Sequence, residues 1–155
     1  TAYEIMPSLV GSEMCIRDRN MDIRVEVETN LPRAKADWDE LTIVIQNLLD
    51  NAVSYGRDGS PVTVNIFRVD KLPVTGAPCV AAAVNNQGDV IPSELLPRLT
   101  ERFYRVDKGR SRAMGGTGLG LAIVKHIVNR HRGRLTIEST VKDGTTLTVF
   151  LPAIN

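Results

Sequence analysis

Asn47, Asn51 and Ser54 are spaced by four and then three residues, so on a helix they project from one face. Amides beside an apolar stripe are costly unless both their oxygens and their nitrogens find partners. Phosphate oxygens and a Mg²⁺ ion would serve, because Mg²⁺ takes oxygen ligands and is usually held jointly with phosphates. A solvated polar face would use the same residues. A second cluster is Val84-Asn-Asn-Gln-Gly-Asp-Val-Ile-Pro92. An amide at the end of a buried strand, followed by glycine, can hydrogen-bond the edge of a base; a plain turn reads the same way. A third is the stretch carrying Phe103, Tyr104, Arg105, Lys108, Arg110 and Arg112. Arginine pairs bidentately with phosphate and offsets charge that develops in phosphoryl transfer, although a basic loop needs no such role. The fourth is Met114-Gly-Gly-Thr-Gly-Leu-Gly-Leu-Ala-Ile-Val-Lys125. Glycines allow close approach of the backbone. A helix starting behind them aims free N–H groups and its positive dipole end at a phosphate chain.

These residues need elements to hold them. Ile23 to Glu28 alternates as a half-buried strand. Asn30-Leu-Pro-Arg33 reads as a turn. Asp37 is a helix N-cap, with Glu40 completing a capping pattern. The helix runs from Trp38 to Tyr55 on a stripe of Leu41, Val44, Ile45, Leu48, Leu49, Ala52 and Val53, and Gly56 and Gly59 end it. Val62–Val69 and Cys79–Val84 are strands, and Asn85 to Asp89 a turn cluster. A short helix starts near Pro92 and reaches Glu101. Phe103 to Gly118 has no periodicity and forms a long loop. A last helix spans Leu119 to His131, closed by Gly133. Arg134–Ser139 and Thr145–Leu151 are strands around a turn at Lys142-Asp-Gly144. The expectation is a two-layer α/β sandwich: a mixed five-stranded sheet with three helices on one face.

The chain has 155 residues and a formal net charge of +1. That is enough for one domain with a core, and bulk charge favours neither nucleic acid nor an acidic tail. Cys15 and Cys79 have no paired spacing, so neither a disulfide framework nor a zinc site is expected. No apolar run is long enough to span a membrane. Residues 1–19 lack both helical and strand periodicity. They resemble a peptide produced when sequencing-adapter DNA is translated, and the segment is read as non-native or disordered, with a native protein that extends further upstream. The domain is then 20–155.

Taken together and in order, the motifs resemble the catalytic ATP-binding domain of two-component sensor histidine kinases, in the superfamily that includes gyrase, Hsp90 and MutL. The resemblance covers roughly Ile23 to Pro152. Gln46-Asn-Leu-Leu-Asp-Asn-Ala-Val-Ser-Tyr-Gly56 is similar to the N box, Phe103-Tyr-Arg-Val-Asp107 to the F box, and Gly116-Thr-Gly-Leu-Gly-Leu-Ala-Ile-Val-Lys125 to the second glycine box. Within the family, the Arg102–Asp107 run and the Asn-x-Gly form of the first glycine box look most like heavy-metal sensor kinases.

The resemblance implies a Bergerat-type fold binding ATP and Mg²⁺. Asn51 would hold the metal, Asn47 would lie beside the phosphates, with Arg105 and Arg110 as further catalytic candidates, and Tyr55 would pack near the adenine. Ser54, Asn86, Gly88, Ile91, Phe103 and Tyr104 would line the pocket. Phe103 to Thr117 would be the ATP lid. Gly116, Thr117, Gly118, Leu119, Gly120 and Leu121 would wrap the phosphates, and Thr145 or Thr146 would close the floor.

Three positions depart from the family pattern. Asn86 stands where Asp is usual, Val90 where a second glycine is usual, and Ser54 where a Lys or Arg often reaches the phosphates. Asn86 can still accept a hydrogen bond through its carbonyl, and Ser54 forgoes a charge-assisted contact. Gyrase-like relatives carry a general-base Glu where Asn47 stands, and an amide cannot take a proton from water. The implied activity is therefore phosphoryl transfer to a histidine on a dimerising helical hairpin outside this chain, then to a response regulator. The parent would be a homodimer in the bacterial inner membrane. This domain would be cytoplasmic and touch neither membrane nor nucleic acid. Two other readings stay open: a degenerate nucleotide-binding regulatory module, and an anti-sigma-type serine kinase.

Overall fold

The computed structural model describes residues 21–71, 76–101 and 120–154. The segment 1–19 and the candidate residues Phe103, Tyr104, Arg105, Arg110, Gly116, Thr117, Gly118 and Leu119 lie outside the described residues. In chain order the elements are β1 (Asp22–Val27), β2 (Arg33–Ala34), α1 (Trp38–Tyr55), β3 (Pro61–Val69) and β4 (Cys79–Asn86). A 3₁₀ turn (Leu96–Thr100), α2 (Gly120–Arg130), β5 (Arg134–Thr140) and β6 (Gly144–Ile154) follow. β1 pairs parallel with β3. β3 pairs antiparallel with β4, and β4 with β6. β6 also pairs with β5 and, further along, with β2.

The α/β class and the mixed sheet agree with the sequence expectation; three details differ. The stretch after Asn30 includes a short strand, Arg33–Ala34, paired with Ala153 and Ile154. This makes six strands, because the end of β6 offers free ladder groups that two extended residues can use. The segment from Pro92 forms a turn and a 3₁₀ helix rather than an α-helix, with Pro97 lacking the N–H that a longer helix needs. Two α-helices are therefore present among the described residues. β4 also runs on through Asn85 and Asn86, which sequence reading assigns to a turn.

The register explains the core. Val62 on β3, Asn86 on β4, Thr145 on β6 and Ser139 on β5 form one rung across the sheet. Val64, Val84, Leu147 and Ile137 form a parallel rung two residues away, and opposed residues share a face. The apolar rungs meet Val44, Ile45, Leu48, Leu49, Ala52 and Val53 of α1 and Leu121, Val124, Ile127 and Val128 of α2. Leu48 and Leu49 are wholly buried; each contributes roughly 1.5–3 kcal/mol of transfer free energy. The first rung named is thus the polar end of an otherwise apolar face.

The two helices are joined where α1 starts and α2 ends. Asp37 caps α1, its Oδ1 accepting the Glu40 N–H at 3.0 Å. The expected capping pattern goes no further: the Glu40 carboxylate turns to Arg130, whose Nη1 donates to Oε1 at 2.6 Å. The Asp37 N–H instead donates to Nε2 of His131 at 3.0 Å, and His131 Nδ1 donates to the Ile127 carbonyl at 2.8 Å. The end of α2 also differs from expectation. Arg132, at φ 58°, takes the left-handed position. Gly133 closes the turn, its N–H donating to the Val128 carbonyl at 2.9 Å. A Cβ on Gly133 would run into the Phe150 carbonyl, so glycine is needed there for close approach.

Candidate functional site

The middle of α1 meets the start of α2 through Asn47 and Gly120. Asn47 Nδ2 donates to the Ile43 carbonyl at 2.8 Å, which turns Oδ1 toward α2. A Cβ on Gly120 would sit 2.8 Å from that oxygen. Gly120, the first described residue of α2, therefore lies flat against the asparagine face. Asn51 and Ser54 follow on α1, both half-buried, and Leu121 points into the core. Among the described residues no three His, Cys, Asp or Glu side chains gather to hold a metal. Asn51 offers one neutral carbonyl oxygen, so a cation here would need the oxygens of a co-bound ligand.

The end of α1 is backed onto the end of β4. A Cβ on Gly88 would lie 2.5 Å from the Tyr55 carbonyl, and the Arg57 N–H donates to the Gln87 carbonyl at 2.6 Å. Gly144, at φ 76°, passes so near the Asn86 carbonyl that any Cβ would collide with it. Asn86 sits among these glycines, 2% exposed, and its Oδ1 has no hydrogen-bond partner. Leaving such an oxygen unpaired costs about 1–3 kcal/mol.

Thr145, beside Asn86 on the rung, is 5% exposed. Its hydroxyl lies 2.8 Å from Ser139 Oγ, which accepts the Ile91 N–H at 2.9 Å. The loop through Gly88 and Ile91 is thereby fastened to the β5–β6 hairpin. Asn85 faces the other side of the sheet. Its Nδ2 donates to the Asp143 carbonyl at 2.7 Å and to Thr146 Oγ1 at 2.8 Å. Thr146 thus braces the hairpin turn, while Thr145 is the threonine on the rung of Asn86. Val90, the position expected to hold glycine, is exposed.

The structure brings Asn47, Gly120 and Leu121 together at the helix contact. It brings Tyr55, Asn86, Gly88, Ile91 and Thr145 together at the strand ends. Sequence reading missed Ser139 and Gly56. Ser139 had a signal: folding the two last strands about the Lys142–Gly144 turn sets it opposite Thr145. Gly56 reads as a helix stop, yet a Cβ there would also meet Met21 Cε at 2.5 Å and approach Asn86 Cβ at 3.6 Å. Cys79 lies at the far end of β4 from Asn86 and is buried; desolvation pushes its thiol pKa up, away from nucleophilic use.

A family model described as histidine kinase-, DNA gyrase B-, and HSP90-like ATPase matches residues 36–155. The sensor histidine kinase WalK of Bacillus subtilis is 38% identical over 132 residues, covering 83% of this chain and 21% of WalK. The sensor-like histidine kinase SenX3 of Mycobacterium tuberculosis is 39% identical over 135 residues, covering 87% of this chain and 31% of SenX3. The structure of a mycobacterial sensor histidine kinase, MprB, superposes with a TM-score of 0.78 at 28% identity, over 98% of this chain and 95% of that one. The catalytic domain of the histidine kinase ThkA gives 0.79 at 25% identity, over 97% and 91%. The chain spans about a fifth to a third of the length of these curated relatives.

Proposed function

The chain belongs to the histidine kinase-, DNA gyrase B-, and HSP90-like ATPase family, and from that premise we propose that it is the ATP-binding kinase domain of a sensor histidine kinase. The observation that carries the nucleotide reading is the buried, unpartnered Oδ1 of Asn86 at a strand end that Gly56, Gly88 and Gly144 approach closely. The exocyclic amino group of adenine is a donor of the right kind for that oxygen.

ATP, when bound with Mg²⁺, supplies the transferable γ-phosphoryl group. Asn86 accepts from the base edge, and Tyr55, Gly88 and Ile91 border the base. Thr145 closes the floor, held by Ser139. Asn51 offers its carbonyl oxygen to Mg²⁺, and Ser54 lies about two turns along α1 from Asn47. Gly120 and Leu121 open α2, whose free N–H groups favour phosphate. Phe103, Tyr104, Arg105, Arg110, Gly116, Thr117, Gly118 and Leu119 complete the proposed set by resemblance, with Asn47, Arg105 and Arg110 nearest the chemistry.

Asn47 also bears on the reaction. Its nitrogen is committed to the Ile43 carbonyl, and an amide oxygen is no base for water. This favours transfer to a nucleophile brought by another domain over hydrolysis. We assign that role to a histidine on the parent's dimerisation hairpin, with a response regulator as next acceptor, in a homodimeric protein of the inner membrane. No helix among the described residues is long and apolar enough to cross a membrane. We further hold 20–155 to be the native domain, its Arg102–Asp107 run and its Asn-x-Gly box resembling those of heavy-metal sensor kinases.

Titration calorimetry of Mg·ATP against the 155-residue chain, with Asn51→Ala alongside, is the test. Binding that weakens tenfold or more in the variant is expected. ATP-dependent phosphorylation of a supplied dimerisation hairpin then separates a kinase from a regulatory binder. A folded wild type that binds no ATP would sink the reading.

A further inference from the structure

The base-reading group here is a neutral amide, and this has a consequence for which purines the pocket takes. Asn86 is 2% exposed and its Oδ1 is unpartnered. Its neighbours on the rung are Val62 on one side and Thr145 on the other. Val62 is apolar, and the Thr145 hydroxyl is engaged with Ser139 at 2.8 Å. Gly56 and Gly88 approach the side chain closely: an added Cβ would lie 3.6 Å from the Asn86 Cβ at the first and 3.4 Å from Nδ2 at the second.

An amide carries an acceptor and a donor of nearly the same size and shape on one carbon. Because Oδ1 holds no hydrogen bond, turning the amide over breaks none at that end. With Oδ1 inward, Asn86 accepts from a 6-amino group. With Nδ2 inward, it donates to a 6-oxo group. A carboxylate at the same place has acceptors only and would set two electron-rich oxygens face to face.

We infer that Asn86 reads the 6-position of a purine in either sense, so that the pocket accepts 6-oxopurine nucleoside triphosphates as well as ATP. The inference rests on the nucleotide reading of the site and deepens it. Asn86 becomes a specificity-determining residue that tolerates both classes rather than one selecting adenine.

Inosine triphosphate is the probe, because it carries a 6-oxo group without the 2-amino group of guanine. Its Kd and that of ATP are measured by calorimetry on the 155-residue chain at saturating Mg²⁺, in wild type and Asn86→Asp. The expected result is a wild-type gap between the two nucleotides of about tenfold or less, the order of one hydrogen bond to an uncharged group. In the variant the gap should widen by about tenfold or more, the loss falling on inosine triphosphate. A wild-type gap larger than tenfold overturns the inference while leaving ATP binding standing. An unchanged gap in a folded Asn86→Asp also overturns it. Should the variant not fold, the wild-type ratio alone decides. If wild type binds neither nucleotide, the site reading itself fails, and the inference with it.

Discussion

Among the described residues two buried side-chain oxygens lack a hydrogen-bond partner, Glu40 Oε2 and Asn86 Oδ1, and they sit in unlike surroundings. Glu40 lies where α1 begins and α2 ends. Its other oxygen holds the Arg130 guanidinium at 2.6 Å, and His131 Nδ1 is 3.6 Å from Oε2. Side chains from both helices fill the space, and the carboxylate charge is answered from one side. Asn86 has glycines where Glu40 has an arginine and a histidine. Its neighbours bring backbone rather than charged side chains. An unpaired oxygen beside an arginine is a tolerated cost of fastening two helices, whereas one with no charged group near it is an acceptor that a bound donor would satisfy. The difference lies in what surrounds the atom.

This contrast can be broken from either end. The largest effect is expected at Gly144. Its φ of 76° and its closeness to the Asn86 carbonyl leave no room for a side chain. Gly144→Val should lower unfolding free energy by on the order of 2–4 kcal/mol in denaturant titration. A loss under half a kilocalorie would show that glycine is not required for this close approach. At the filled junction, His131→Ala strands the Asp37 N–H and should cost about 1 kcal/mol of stability. ATP affinity should stay within about twofold; a large change in affinity would mean the two ends are coupled. An effect of similar size, read in binding rather than stability, is expected from Ser139→Ala. It frees the Ile91 N–H and the Thr145 hydroxyl, and should weaken ATP binding by roughly three- to tenfold, in line with one or two neutral hydrogen bonds. Unchanged affinity would remove Ser139 from any positioning role.

Much of this architecture is readable from residue patterns because its causes are local. The α1 stripe, the Asp37 cap, the alternation of β3 and the Lys142–Gly144 turn each depend on neighbours a few residues away. What escapes such reading depends on partners far along the chain. Glu40 abandons the expected reciprocal cap because Arg130, ninety residues on, offers a charge. The Asp37 N–H is satisfied by His131, a residue whose surroundings in sequence suggest only a helix end. Arg33 and Ala34 become a strand because β6 runs past β5 and leaves ladder groups unpaired. Asn86 is visible as an amide before a glycine, but its burial depends on the close approach of Gly56 and Gly144 from other segments. For the same reason Ser139 becomes conspicuous only once the hairpin register is drawn.

β6 comes last of the strands in the sequence, yet it lies inside the sheet, pairing with β4, β5 and β2. A ribosome making this chain releases β4 long before its partner exists; the Asn85–Asp143 contact alone spans 58 positions. Until β6 emerges, one whole margin of β4 is open to solvent or to a chaperone, and Asn86 has neither Gly144 nor Thr145 beside it. The surroundings of Asn86 are complete only once β6 has paired with both β4 and β5.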